Sequence, residues 1–228
     1  MDIFKQHEIF EIEVLDRMKS TKLLDPLVFG GGTMLRLCHD LNRYSVGLDF
    51  WFLKEISQKD YFARLRRSFE KYYEITDAQA KHFTLLIELR SRDYPKRLKI
   101  EIRRAIQDCD FQETIAFSMF ATKQVALRAH TRDQSMKNKI KALLDRGEIR
   151  DCFDIEFLLR KGTRLPADIG EKSNRLLKKI ESFKERDFKV KLGSILDAEF
   201  RAYYATQRFS FLKERLSSVQ EMGSHLEQ

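Results

Sequence analysis

The sequence is poor in cysteine and proline, and each shortage argues against a class of protein. Its three cysteines among 228 residues have no metal-type spacing, so we expect reduced thiols rather than a disulfide framework or a zinc site. Three prolines and no Gly- or Ser-rich run leave no evident flexible linker. No apolar run reaches membrane-spanning length and Met1 to Lys5 show no signal pattern, so we expect a cytoplasmic protein without a membrane partner.

The composition is rich in charge and still sufficient for a core. Hydrophobic residues make up 43% of the chain, which is enough for one large domain or two small ones. Lys and Arg number 43 against 35 Asp and Glu, which gives a formal net charge of +8. This excess of positive charge suits a polyanionic partner such as nucleotide phosphates or a nucleic acid. A charged, soluble surface without such a partner fits the same composition.

The residue pattern changes from mixed to helical along the chain. Apolar, β-prone runs occupy residues 27–29, 48–53, 83–89 and 97–102, and helical patterns occupy residues 4–22, 34–41 and 59–73. Beyond residue 122 the β signal fades, and helix formers dominate residues 126–161, 168–184 and 191–217. We therefore predict an α/β (α+β) domain over residues 1–120, with a mixed sheet flanked by helices. A helical domain is predicted to follow over residues 121–228.

A cluster of three glycines stands between a short strand and a helix. Gly30, Gly31 and Gly32 precede Thr33, and glycine permits backbone conformations and close phosphate approaches that other residues forbid. The following helix would offer free N–H groups and a positive dipole end to a triphosphate. The spacing matches neither a P-loop nor a dinucleotide fingerprint. We expect Gly31, Gly32 and Thr33 to cradle a triphosphate, with an ordinary strand–helix turn as the alternative.

Two predicted strands each carry a carboxylate between apolar neighbours. Because successive side chains on a strand point to opposite faces, Asp49 and Glu101 are each directed away from the core. Carboxylates on neighbouring strands, shared with substrate phosphates, form the usual magnesium site of nucleotidyl transfer. We therefore predict that Asp49 and Glu101 bind Mg²⁺ or Mn²⁺, with an NTP as substrate. A solvated sheet face remains the alternative for Glu101.

A cationic segment lies in the helical half, at residues 139–154. At about 100° per residue, Lys139, Arg146, Arg150 and Asp154 would share one side of a continuous helix. Such a line of cations could neutralise the charge that develops on a departing pyrophosphate. Two alternatives stay open. The face could be solvated with weak ion pairs, or Gly147 could break the helix.

Together these segments resemble the AbiEii/AbiGii-type nucleotidyltransferases, the toxins of abortive-infection toxin–antitoxin pairs. The first family signature is Gly-Gly-Thr followed by Arg-x-Ser-x-Asp-hydrophobic-Asp, and a strand carboxylate follows later. The second is Lys-x-x-Ala-Leu-x-x-Arg-x-x-x-Arg-Asp-x-x-Asp. The resemblance spans roughly residues 25–160 and rests on Gly31, Gly32, Thr33, Arg43, Ser45, Asp49, Glu101, Lys139, Ala142, Leu143, Arg146, Arg150, Asp151 and Asp154.

The resemblance implies a nucleotidyltransferase lobe followed by a helical lobe. It implies metal-dependent transfer of a nucleotide from an NTP to an RNA, such as a tRNA, or to a protein, and it implies an antitoxin partner. Asp49, Glu101 and Lys139 would be catalytic. Asp151 and Asp154 would support the site or contact the nucleotide. The remaining substrate-binding positions would be Gly31, Gly32, Thr33, Arg43, Ser45, Arg146 and Arg150.

The chain departs from the family pattern at two positions. Gly47 stands where the first strand carboxylate belongs, and Gly30 replaces a lysine often found before the Gly-Gly pair. Loss of one metal-bridging carboxylate should weaken metal binding and slow the chemistry. A degenerate homologue, a deliberately inactivated toxin and a ligand drawn from elsewhere remain open explanations. The sequence therefore favours nucleotide binding with impaired catalysis. A non-catalytic nucleotide- or RNA-binding protein and a plain interaction module remain the other hypotheses.

Overall fold

A computed structural model describes residues 3–224 of the chain, with side chains described as far as residue 219. Contacts between Cα atoms divide the described residues into two compact units. The first, which we call the α/β unit, comprises residues 3–40 and 44–131. The second, which we call the helical unit, comprises residues 41–43 and 132–224.

The α/β unit is built on one mixed sheet. Among its described residues seven strands form this sheet, in the order β3-β4-β5-β2-β1-β7-β6. The strands are β1 Leu27–Gly30, β2 Leu48–Phe52, β3 Glu74–Ala80, β4 Thr84–Arg90, β5 Leu98–Arg103, β6 Phe111–Ala116 and β7 Val125–His130. β2 runs parallel to β5 and β1 runs parallel to β7, while the other neighbouring pairs are antiparallel. Its helices are α1 Ile3–Ser20, α2 Gly31–His39 and α3 Gln58–Phe69. The predicted α/β class with a mixed sheet flanked by helices is confirmed.

The core of this unit follows the alternation of its central strands. Leu48, Phe50 and Phe52 of β2 are buried, whereas the intervening Asp49 and Trp51 are half-buried. The ring centroid of Phe52 lies 5.3 Å from that of Tyr61, so α3 packs against the apolar face. The opposite face of β2 therefore carries the polar side chain that the sequence analysis singled out.

The helical unit contains five α-helices among its described residues. They are α4 Arg132–Arg146, α5 Ile149–Arg160, α6 Ile169–Glu181, α7 Ala198–Gln207 and α8 Ser210–Ser224, with a π-helical turn Asp187–Leu192 and a 3₁₀ turn Gly193–Ile195 before α7. The fully buried carboxylate of Glu156 accepts hydrogen bonds from the Tyr204 hydroxyl at 3.0 Å and the Leu212 N–H at 3.1 Å. One side chain of α5 therefore fixes both α7 and α8.

The secondary structure differs from the prediction in three respects. Residues 125–130 form strand β7, where a helix beginning at residue 126 was expected, and Val125 and Leu127 alternate in burial with exposed Ala126 and Arg128. The helix expected over residues 191–217 is divided into shorter pieces. Strands β3 and β6 were not predicted, because both lie at sheet edges and carry mainly polar or exposed residues.

No helix within residues 3–224 combines the length and the apolarity that crossing a bilayer requires.

Candidate active site

The two predicted metal ligands lie side by side in the α/β unit. In the parallel pairing of β2 with β5, Asp49 is the register partner of Glu101. Both side chains are half-buried, and directly paired residues of neighbouring strands face the same side of a sheet. The sheet therefore brings together the two carboxylates that the sequence placed on separate strands.

The Asp49 carboxylate also lies against the beginning of α2. Gly30 pairs with Asp49 across β1 and β2, and α2 begins at the next residue, Gly31. A Cβ atom added to Gly31 would overlap the Asp49 carboxylate, and the φ angle of Gly31 is +80°. Only glycine permits both the close approach and this backbone conformation at little cost. The positive end of α2 thus faces the acidic strand, where negative charge is favoured.

Thr33 holds the glycine segment from inside the unit. It is completely buried, and its hydroxyl donates a 2.7 Å hydrogen bond to the carbonyl of Gly47. Glu11 of α1 lies behind the same turn, with Oε1 3.4 Å from the Gly47 nitrogen and 3.5 Å from the Thr33 hydroxyl. Burial raises the pKa of the Glu11 carboxyl well above its usual range. These contacts place Thr33 and Glu11 as supports behind the turn.

Gly47 adopts a backbone conformation that disfavours any side chain. Its φ angle is +113°, and an added Cβ would lie 3.1 Å from the backbone oxygen of Lys99. The position at which the sequence analysis expected a carboxylate therefore has a backbone conformation suited to glycine.

The pair Asp49 and Glu101 suits one hard divalent cation, because carboxylate oxygens are the ligands that such ions prefer. Glu101 forms an ion pair with Lys99, whose side chain is 48% exposed, and exposed ion pairs are weak enough to be exchanged. Among the described residues no group of three or more His, Cys, Asp or Glu side chains could hold a metal ion. A bound cation would therefore share its remaining ligands with phosphate oxygens or water.

In the helical unit, residues 139–154 do not form a continuous helix, and the alternative that Gly147 breaks the helix is confirmed. Helix α4 ends at Arg146 and α5 begins at Ile149, because Gly147 takes a φ angle of +67° between them. This interruption of the helix changes which side chains are in contact. Arg150 is exposed on α5, whereas the side chains of Asp151 and Asp154 are completely buried.

A buried charge cluster joins most of the second signature. Asp154 Oδ1 accepts a hydrogen bond of 2.6 Å from Arg43 Nε, and Asp154 Oδ2 accepts one of 2.7 Å from Arg43 Nη2. Lys139 Nζ lies 2.6 Å from the same Oδ2 atom. Asp151 accepts two hydrogen bonds of 2.7 Å from Arg146, and Lys139 Nζ lies 3.5 Å from Asp151 Oδ1. Lys139 thus bridges the two aspartates.

The cluster keeps the Asp154 carboxylate ionised and leaves one cation partly in solvent. Burial raises the pKa of the Asp154 carboxyl, but Arg43 and Lys139 outweigh this effect and hold that pKa below its usual range. The side chain of Arg146 is 45% exposed, whereas Lys139 is nearly buried. With three cations against two carboxylates, the cluster has positive charge to offer to an anion.

The first signature is divided between the units. Arg43 belongs to the helical unit, where it pairs with Asp154, while Ser45 and Asp49 belong to the α/β unit. Ser45 is half-buried in the turn before β2. Arg43 and Ser45, two residues apart in the signature, therefore belong to two different local structures.

Sequence reasoning missed three residues beside the acidic strand. Glu11 is buried on the stripe of α1 that also buries His7, Leu15 and Met18, and its i+4 spacing from His7 was the available signal. Trp51 shares the face of Asp49, since it lies two residues later on β2. Its ring centroid lies 4.8 Å from that of buried His130, and nothing in the sequence indicates this contact across β1.

Comparison with known structures agrees with this fold. JHP933 from Helicobacter pylori is 21% identical and has a TM-score of 0.53, with 96% of this chain and 98% of that chain covered. MenT4, a nucleotidyltransferase toxin of Mycobacterium tuberculosis H37Rv, is 13% identical and has a TM-score of 0.50, with coverages of 94% and 90%. At these identities the likeness concerns the fold alone. No curated protein sequence matches the chain.

Comparison with protein families gives a match over most of the sequence. The family described as nucleotidyl transferase AbiEii toxin, type IV toxin–antitoxin system, matches residues 13–221. This range includes the glycine segment, both carboxylate strands and the buried charge cluster. The chain belongs to the AbiEii family of nucleotidyl transferase toxins.

Proposed function

We propose that this protein transfers a nucleotide from an NTP to an RNA acceptor, with the α/β unit as its catalytic lobe. The observation that carries the proposal is the pairing of Asp49 with Glu101 beside the first residues of α2, in a chain of the AbiEii family. This arrangement offers two carboxylates for a cation and a positive helix end for phosphates within one unit.

In this proposal Asp49 and Glu101 hold Mg²⁺ or Mn²⁺. When bound, such an ion supplies charge stabilisation at the reacting phosphoryl oxygens. The N–H groups at Gly31 and Gly32 bind phosphate, while buried Thr33 and Glu11 keep the turn in place. The roles of the remaining signature residues follow from their exposure and contacts.

We assign the cations of the helical unit to binding an anionic group of a substrate. Arg146 and Arg150 are accessible, and Lys139 is held at a fixed place by two buried aspartates. Preorganised cations stabilise developing negative charge at little reorganisation cost. Asp151, Asp154 and Arg43 would then position Lys139 and Arg146. Ser45 would take part through the turn that precedes β2.

An RNA acceptor is supported by a basic cleft in the α/β unit. A cleft of about 1110 Å³ lies at the turn between β4 and β5. Its cations Arg90, Arg92, Lys96 and Arg97 outnumber its anions Glu74 and Asp93. Clustered cations bind a phosphate backbone through sequence-independent electrostatics. We therefore favour RNA, including tRNA, over a protein as the acceptor, and we place the reaction in the cytoplasm.

Family membership also bears on partners. Toxins of a type IV toxin–antitoxin system imply an antitoxin and, for a nucleotidyl transferase, an NTP.

The test is to incubate the protein with each labelled NTP, Mg²⁺ and either total RNA or tRNA. We expect label in the RNA with at least one NTP. The Asp49→Asn variant should lose this transfer, because it removes a charged metal ligand. Asp108→Asn is the matched control, since Asp108 is exposed on the loop after β5. Equal transfer by the wild type and Asp49→Asn would refute the assigned role of Asp49.

A second candidate is a nucleotide- or RNA-binding protein without turnover. Glycine at position 47 provides no carboxylate, and Lys99 pairs with Glu101, so less negative charge is available to a cation. Saturable NTP binding by calorimetry, without transfer to any acceptor, would support this candidate. Absence of both NTP and RNA binding would refute both candidates and point to a plain interaction module.

A further inference from the structure

The only tryptophan of the chain lies next to the proposed metal ligands. Asp49 and Trp51 point to the same face of β2, about 7 Å apart along the strand. On β5, the register partners of these two residues are Glu101 and Arg103. Arg103 is exposed and Trp51 is half-buried. The carboxylate pair is therefore followed, one step along the sheet, by an aromatic ring and a cation.

Gly30 provides the space in which the aromatic ring lies. A Cβ atom added to Gly30 would come within 2.6 Å of both Trp51 Cζ3 and His130 Nδ1. Both rings therefore reach over the backbone of β1, with their centroids 4.8 Å apart and their planes inclined by 56°. A lysine at position 30, as in the family pattern, would need the same space. In this chain, two aromatic rings occupy that place.

The character of this surface is apolar and uncharged. Burial lowers the pKa of His130 to about 4, so its imidazole is neutral near pH 7. A neutral histidine and an indole do not attract phosphate, but flat aromatic surfaces stack with nucleobases. Aromatic side chains on the face of a sheet are a recurrent means of holding bases. Arg103 supplies positive charge beside them for a neighbouring phosphate.

We propose that Trp51, supported by His130 over Gly30, is a stacking platform for a nucleobase at the reaction site. This inference rests on the proposed nucleotidyl transfer. The base could belong to the incoming NTP or to the terminal nucleotide of the RNA acceptor, and the chemistry of stacking is the same for both. The position of the platform beside Asp49 and Glu101 limits the choice to these two sources.

Because the chain has one tryptophan, fluorescence excited at wavelengths that tyrosine does not absorb reports on Trp51 alone. We would titrate the protein with each NTP, with inorganic tripolyphosphate and with short RNA oligonucleotides, and measure affinities in parallel by calorimetry. A stacked base should quench the emission with the dissociation constant found by calorimetry. Quenching by NTPs assigns the platform to the incoming nucleotide, and quenching by RNA alone assigns it to the acceptor. Tripolyphosphate, which has no base, should leave the emission unchanged.

Substitutions give an independent measurement. Trp51→Leu should weaken binding of the quenching ligand by about fivefold or more, in line with the stacking contribution of a base. Trp51→Phe retains an aromatic face and should lose less. Phe83→Leu is the matched control, because Phe83 is a 72% exposed aromatic residue of the same unit. Circular dichroism and melting curves of both Trp51 variants show whether each is folded, and Trp51→Phe tests the platform if Trp51→Leu is not.

Three results would overturn the platform. NTPs and RNA could bind by calorimetry without changing Trp51 emission, Trp51→Leu could bind as tightly as the wild type, or neither ligand could bind at all. The outcome is separable from that of the proposed function. Quenching without any transfer supports the platform and refutes catalysis, whereas transfer that is unaffected by Trp51→Leu refutes the platform alone.

Discussion

The hydroxyl of Thr33 and the carbonyl of Gly47 are joined by a 2.7 Å hydrogen bond. This bond connects the helix that follows the glycines to the turn that precedes the acidic strand. Thr33 is completely buried, so its hydroxyl faces the protein interior. The Gly-Gly-Thr segment therefore combines two duties: its glycines allow close approach to Asp49, and its threonine fixes where that approach occurs.

Replacing Thr33 by valine should destabilise the chain without changing its shape. Thr33→Val keeps the branched side chain but removes the donor to Gly47, which leaves a half-buried carbonyl with one partner fewer. We expect a loss of about 1–3 kcal/mol in the free energy of unfolding, measured with urea. Thr206→Val is the control, because Thr206 makes a similar bond to Ala202 on an exposed helix. Equal losses of unfolding free energy in both variants would show that the buried Thr33 hydrogen bond stabilises the protein no more than an exposed one.

Introducing the aspartate of the family pattern at position 47 should lower the stability of the protein. Gly47→Asp forces a side chain onto a residue with a φ angle of +113° and brings its Cβ to 3.1 Å from the Lys99 oxygen. We expect a cost of about 1–3 kcal/mol in unfolding free energy, and the same cost for Gly47→Ala. The contrary result would be a Gly47→Asp protein that is as stable as the wild type and transfers nucleotide faster.

A second glycine provides the reference for this experiment. Gly170 lies in α6, and an added Cβ meets nothing within 4 Å. Gly170→Ala should therefore be neutral or stabilise the chain by roughly 0.5–1 kcal/mol, because alanine suits a helix better than glycine. The contrast between positions 47 and 170 separates backbone strain from the general effect of adding a methyl group.

Much of the fold and part of the site could be predicted from local pattern. Strand alternation directed Asp49 and Glu101 away from the core, and two strands rich in apolar residues are natural neighbours in a sheet. The pairing of these residues in register agrees with that reasoning. The change from a mixed half to a helical half could also be predicted, because the β-prone runs lie before residue 122 and helix formers dominate after it.

The remaining features depend on contacts between segments far apart in sequence. Strand β7 carries helix-tolerant residues and becomes a strand by pairing with β1 and β6. Glu11 and Thr33 meet at Gly47 from α1 and α2, so no single segment reveals their role. Gly147 was recognised as a possible break, but the burial of Asp151 and Asp154 depends on what the new helix packs against. Propensity alone does not contain this information.

Neutralising Asp154 should strongly destabilise the helical unit. Asp154→Asn leaves Arg43 and Lys139 buried with one charge partner fewer, and breaking a buried pair in this way typically costs about 3–5 kcal/mol. Urea unfolding at pH 7 measures the effect. Asp145→Asn is the control, because Asp145 is exposed and forms an ion pair with exposed Lys141. A loss no larger than that of the control would refute a structural role for the cluster.

The same carboxylate predicts acid sensitivity. Since the folded state holds the pKa of Asp154 below its usual value of about 4, this group stabilises the folded state above that pH, and its contribution fades as the pH falls further. The unfolding free energy of the Asp154→Asn protein should accordingly fall less than that of the wild type between about pH 5 and about pH 3, a range that spans the usual pKa of an aspartate. Parallel losses in the two proteins would contradict the assignment.

Acid should also act through His130, over a higher range of pH. Burial lowers the pKa of His130 from 6.5 to about 4 in the folded state, so the unfolded chain binds the proton more readily. Stability must therefore fall as the pH drops from about 6.5 towards about 4, by about 2 kcal/mol between pH 7 and pH 5 for this group. His130→Phe keeps a ring beside Trp51 but removes the proton site, so its unfolding free energy should change less over that interval. His82→Phe, at an exposed position, should retain the wild-type dependence, and the prediction fails if His130→Phe retains it too.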